Sequence, residues 1–203
     1  VDDARRILSL IDPRDVREGS QVALTEAQIL RNAGDRDEAV KVLEAANQRY
    51  PDAPDLMYDL AMLYEQQNRI DDMESRLRRI IAIKPDHAHA YNALGYSLAD
   101  RNVRLPEAKR LIERAMNLAP DDPFIVDSMG WVHYRMGDNA KALSYLERAY
   151  ELRPDAEIAV HLGEVLWASG QQARARELWR EVQSKDPSNA ALRGTLARLD
   201  VTL

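Results

Sequence analysis

The chain has 203 residues, a net charge of −6, 45% hydrophobic residues and no cysteine. The lack of cysteine excludes disulfides and thiol chemistry, and an acidic balance without a basic run argues against nucleic acid as the main partner. No stretch reaches the roughly 18 consecutive apolar residues of a membrane span, so no direct membrane insertion by this chain is expected.

The first element in chain order is a helix over Asp2 to Ile11, closed by Pro13. It reads as the second helix of a unit whose first helix is missing, with residues 1–15 as its extent. The chain therefore begins part-way through a unit, without an initiator methionine, and reads as a piece of a longer protein. Five prolines follow, Pro51, Pro85, Pro120, Pro154 and Pro187, separated by 34, 35, 34 and 33 residues. Each closes a helix-turn-helix unit, giving units at residues 16–53, 54–87, 88–122, 123–155 and 156–187. The last segment, residues 188–203, opens with Ser188-Asn189 before Leu192, Leu196 and Leu199. It reads as a terminal capping helix with Arg193 and Arg198 on its outer side.

Counting each unit so that its proline is position 32 aligns the columns. Position 8 is always small: Ala27, Ala61, Gly95, Gly130, Gly163. Position 24 is large: Leu43, Leu77, Ile112, Leu146, Trp179. A small residue facing a large one is what two closely packed helices need. Position 20 reads Ala39, Met73, Ala108, Ala142, Ala175, and flexible methionine can fill the place of alanine there. Position 15 reads Gly34, Asn68, Asn102, Gly137, Gly170, the residues that enter a left-handed conformation most cheaply and so end a helix. The extra residue of the third unit falls in its turn, Asn102-Val103-Arg104-Leu105. The first unit is the least regular, because Glu26 stands where the others carry Leu60, Leu94, Met129 and Leu162, and a looser core is expected there.

No phosphate-binding glycine loop, serine-nucleophile elbow or HExxH motif is present. Ser128 has no histidine or acid at a recognisable partner position, so no enzyme and no cofactor are expected. His87 and His89 are two apart and point in different directions on a helix, which rules out a shared metal. Glu157, His161 and Glu164 have metal-compatible spacing, but a solvated charged face is the expected reading.

The 34-residue period with these columns resembles the tetratricopeptide repeat (TPR) family. The resemblance implies an all-α solenoid of antiparallel helix pairs forming a right-handed superhelix, with function on a surface rather than in a catalytic pocket. His133 takes the place of a tyrosine usual in the family and is expected to pack. In the family, positions 2, 5, 9, 12 and 13 face the concave side. Here they include Tyr58, Met62, His89, Asn92, Tyr96, Phe124, Asp127, Trp131, Tyr134, Arg135, Glu164 and Trp167. Six of the twelve aromatic residues lie in these columns. An aromatic concave groove from the second to the fifth repeat is expected to take an extended peptide or a partner helix, with Trp131 and Trp167 open to it. The absence of lysine beside Asn92 and Arg135 argues against a carboxylate clamp of the chaperone-binding kind.

Residues 86–192 carry a narrower resemblance. The segments NALGYSLADR (92–101), DSMGWVHYRMGD (127–138) and EIAVHLGEVLWASGQ (157–171) are similar to the C-terminal region of proteobacterial TPR outer-membrane lipoproteins. Members of that family act as adaptors for a periplasmic carboxyl-terminal processing protease and help deliver cell-wall hydrolases to it. The resemblance implies a periplasmic scaffold whose parent is lipid-anchored, with a protease or hydrolase as partner. A cytoplasmic location, a regulatory or substrate-selecting region of a larger enzyme, and an array that forms weak homodimers through its exposed end helices stay open as alternatives.

Overall fold

The computed structural model describes residues 2–203. These form twelve helices and no strand: α1 (Asp2–Leu8), α2 (Val16–Asn32), α3 (Arg36–Arg49), α4 (Pro54–Gln66), α5 (Ile70–Ile83), α6 (Ala88–Asp100), α7 (Leu105–Leu118), α8 (Pro123–Arg135), α9 (Asn139–Leu152), α10 (Ala156–Ala168), α11 (Gln172–Lys185) and α12 (Ala190–Leu199). The chain folds as two compact units, one running up to Ala90 and the other Tyr91–Leu203.

Helix starts follow the local chemistry. Asp35, Asp138 and Asn189 each accept the backbone N–H three residues on, and Asp122 and Asp155 do the same over two. Pro54 and Pro123 occupy a first helical position, where a missing N–H costs nothing. Asp15 caps α2 by accepting from Glu18 N–H at 2.8 Å, while the Glu18 carboxylate takes the Arg14 N–H at 2.8 Å. This paired cap starts α2 at Val16. At the other end of that linker, α1 stops at Leu8 rather than at the expected Ile11. The Ser9 hydroxyl donates to the Arg6 carbonyl at 2.8 Å, and Leu10, 81% exposed, has no surface to pack on.

All five predicted turn residues adopt positive φ: Gly34, Asn68, Asn102, Gly137 and Gly170, between 56° and 84°. The third turn has a second left-handed residue, Arg104 at φ 48°, immediately before α7. That additional reversal absorbs the inserted residue without moving the columns downstream.

Packing within each helix pair follows the small-against-large pattern. A Cβ on Gly95 would sit 2.6 Å from Ile112 Cγ1, and one on Gly130 would sit 2.6 Å from Leu146 Cγ. Gly163 lies under the indole of Trp179, whose Nε1–H donates to Val160 O at 3.3 Å. Met73 is fully buried in the alanine column. In the first repeat Glu26 is paired: Arg5 of α1 donates to its carboxylate at 2.7 Å. An acid stands in the apolar column because the preceding helix brings it a cation.

Candidate functional site

The residues expected to line one groove fall in both compact units, and each unit treats them differently. In the first unit they border an open cavity of about 600 Å³. Gln21, Leu24, Thr25, Gln28, Ile29 and Arg31 of α2 form one wall, Asp55, Tyr58 and Asp59 of α4 the other, with His87 and His89 at the end. Arg31 pairs with Asp59 at 3.0 Å across the two helices. The Tyr58 ring lies 5.6 Å from that of His87. His87 Nδ1 accepts the Ala90 N–H at 3.1 Å, which fixes the ring at the start of α6. Burial, and then the nearby Lys84 charge, lower the pKa of His87, keeping the imidazole neutral. Of the predicted residues, Tyr58 and His89 line the cavity, while Met62 is half-buried away from it.

Most of this cavity was missed by sequence reasoning, although the signal was present. Gln21, Leu24, Gln28 and Arg31 are positions 2, 5, 9 and 12 of the first repeat, the same columns as Asp55, Tyr58 and His89 later on. Weighting the columns by aromatic content passed over a unit that has none there.

In the second unit the predicted residues bind one another. Trp131 is 3% exposed, which corrects the expectation that it opens onto a groove. Its ring stacks on His161 with centroids 4.3 Å apart, and its Nε1–H donates to Asp100 at 3.2 Å. The burial follows from His161, on α10, which turns inward to place its ring against the indole. Asp127, 4% exposed, accepts from His161 Nδ1–H at 2.9 Å and 3.1 Å through its two oxygens. On the opposite edge of that ring, Nε2 meets the Tyr96 hydroxyl at 3.2 Å. A carboxylate accepts only, so the proton on Nδ1 is assigned by Asp127, while the hydroxyl of Tyr96 can donate to or accept from Nε2. The network therefore accommodates both charge states of the imidazole.

A second buried acid has its own partners. Glu164, 1% exposed, receives both guanidinium arms of Arg198 at 2.7 Å each and the Tyr134 hydroxyl at 3.3 Å. Arg198 thus reaches in from α12 rather than lying on its outer side, because the column it occupies is that of Glu164 one repeat later. The expected solvated face over Glu157, His161 and Glu164 is likewise corrected, since His161 and Glu164 are buried on separate partners. Among the described residues no group of His, Asp and Glu is placed to hold a metal.

The other predicted residues of this unit are half-buried or at its surface. Arg135 donates to the Ala99 and Asp100 carbonyls, at 3.2 Å from Nε and 2.6 Å from the guanidinium arm. Asn92 is half-buried, and its Oδ1 has no partner among the described residues. Trp167 is half-buried 5.7 Å from Trp179, with Arg176 over its ring. Phe124 is exposed beneath Arg153. His133 packs as expected, 7% exposed and stacked on Tyr145.

Two segments of the chain, residues 30–95 and 128–190, match tetratricopeptide-repeat family models. Over 144 residues, 71% of the chain, it is 46% identical to a TPR repeat-containing protein of Pseudomonas aeruginosa, and it spans only 24% of that relative's length. Its fold is similar to that of a thermophilic TPR protein of Thermus thermophilus, with a TM-score of 0.77 at 21% identity, covering 90% of this chain and 100% of the other. PilF of P. aeruginosa is similar with a TM-score of 0.68 at 17% identity, covering 91% and 93%.

Proposed function

This chain is a tetratricopeptide-repeat protein, and we propose that it is a non-enzymatic scaffold whose first unit grips a segment of a protein partner in the cavity between α2 and α4. The observation that carries this reading is the cavity itself. At about 600 Å³ it is of the size that holds several side chains, and it is open. It combines apolar surface from Leu24 and Ile29 with hydrogen-bonding groups from Gln21, Thr25 and Gln28. Such a lining suits an extended peptide, whose main chain needs partners and whose side chains need apolar contact.

The finer proposal is an adaptor of the bacterial envelope, part of a lipid-anchored parent, that brings a carboxyl-terminal processing protease together with a cell-wall hydrolase. Its support is the resemblance of segments 92–101, 127–138 and 157–171, while the 46% identity to the P. aeruginosa relative supports TPR repeats as such. The test is direct binding of the purified chain to such a protease and, separately, to a cell-wall hydrolase, by surface plasmon resonance. A Leu24→Arg, Tyr58→Ala variant of unchanged helicity is expected to lose the interaction. Equal binding by parent and variant would place the contact outside the cavity, and no binding by the parent would remove the adaptor role.

A further inference from the structure

The second unit has a different groove, of about 440 Å³, between α9 and α11. Leu162 of α10 lies at its floor, flanked by Tyr150 and Leu178. The rim is acidic on both sides. Glu147 and Glu151 from α9 face Glu177 and Glu181 from α11, each pair one helical turn apart. Arg174 is the one cation of this lining, and it is engaged by Glu147 at 3.0 Å. Glu151, Glu177 and Glu181 are exposed and enter no ion pair among the described residues.

Apolar surface ringed by like charges is poorly satisfied in an isolated chain: the carboxylates repel one another, and the half-buried Tyr150 and Leu178 beside the floor still meet water. The field is felt locally, since burial and then the Glu181 charge raise the pKa of the Tyr150 phenol. An occupant that relieves both defects must bring cations to the rim and an apolar side chain to the floor. Phosphate-bearing ligands are repelled by the same rim. Lysines or arginines spaced one helical turn apart, beside a leucine-like stripe, reproduce the spacing of each glutamate pair. We infer that this groove docks a basic amphipathic helix of a protein partner. It shares no residue with the cavity between α2 and α4, so the chain has two recognition elements of different chemistry.

The probe is a fluorescein-labelled two-heptad helical peptide with lysines flanking a leucine stripe, titrated with the whole chain and followed by anisotropy. It is compared with one peptide carrying glutamate for lysine and another carrying glutamine for leucine. The lysine-leucine peptide is expected to bind and the other two to bind weakly or not at all. Glu177→Gln with Glu181→Gln is expected to raise its Kd about tenfold, the scale of two lost ion pairs. Asp71→Asn with Asp86→Asn, exposed sites of the first unit that do not line the groove, removes the same charge and is expected to leave Kd unchanged. Tyr58→Ala is also expected to leave it unchanged, so this result stands apart from the fate of the cavity reading. No binding of the lysine-leucine peptide would overturn the inference. So would equal weakening by the two charge-removing pairs, or equal binding of the peptide without leucine, since either reduces the effect to general attraction by an acidic chain.

Discussion

Nδ1 of His161 lies 2.9 Å from an oxygen of Asp127, and both side chains are nearly withdrawn from solvent. Burial alone lowers the pKa of the imidazolium, but the charge and hydrogen bond of Asp127, with Glu157 and Glu164 further off, outweigh it and raise the pKa above 6.5. A folded pKa above the unfolded one stabilises the protein fully below the unfolded value, and the stabilisation is lost as pH rises through the folded value. Trp131 and Tyr96 complete the surroundings of the ring and carry no charge at neutral pH. The melting temperature of the parent relative to His161→Gln is therefore expected to be highest below pH 6.5 and to fall as the pH rises above it. A pH-independent difference would mean that folding does not raise the pKa of His161.

Arg198→Ala removes the cation from a carboxylate that has almost no access to water. The expected cost is about 1.5–3 kcal/mol, the range of hydrogen bonds to charged groups, moderated because the guanidinium itself is half exposed. Glu164→Gln in the Arg198→Ala background is expected to return part of the loss, since an amide tolerates burial beside Tyr134 better than an unpaired carboxylate does. Urea denaturation of the three chains measures this, and a further loss in the double variant would contradict the ion-pair account.

One substitution has opposite expected signs at two glycines. Gly130→Ala drives a methyl into Leu146 Cγ at 2.6 Å and close to Ala142 O at 3.1 Å, with an expected cost of about 1–3 kcal/mol from overpacking. Gly194→Ala in α12 meets nothing within 4 Å and is expected to stabilise by about 0.5–1 kcal/mol through helix propensity. Paired thermal melts decide both.

Trp131→Ala is expected to destabilise by about 3–5 kcal/mol, comparable to Leu94→Ala, because it empties the space against His161 and frees Asp100. Trp167→Ala, at a half-buried ring, is expected to cost less. If Trp131→Ala melts with the parent, the indole is not part of the packed network.

Local chemistry in the chain fixes most of the fold. The glycine and asparagine column reports left-handed turns because few other residues adopt them cheaply, and the small and large columns meet because they sit one above the other in every pair. Residues that meet across repeats were not legible. Tyr96 reaches His161 65 positions later, a meeting that depends on the small rotation between successive helix pairs, which no column records. Arg198 reads as an outer-side residue because Leu192, Leu196 and Leu199 mark the packed face of its helix, and nothing in the sequence pairs it with Glu164. The cavity between α2 and α4 was half legible: its columns were identified, but the polar residues that build its first wall carry no composition signal.

The Tyr96–His161 bond also bears on how the second unit comes apart. In a stack where each repeat touches only its neighbours, stability is close to a sum of local terms and the ends can fray one repeat at a time. A bond from α6 to α10, over Trp131 of α8, ties the first and third members of this set together. Loosening α10 then withdraws support from α6 as well as from α8, so residues 91–203 should lose structure in a single cooperative step rather than peel from one end.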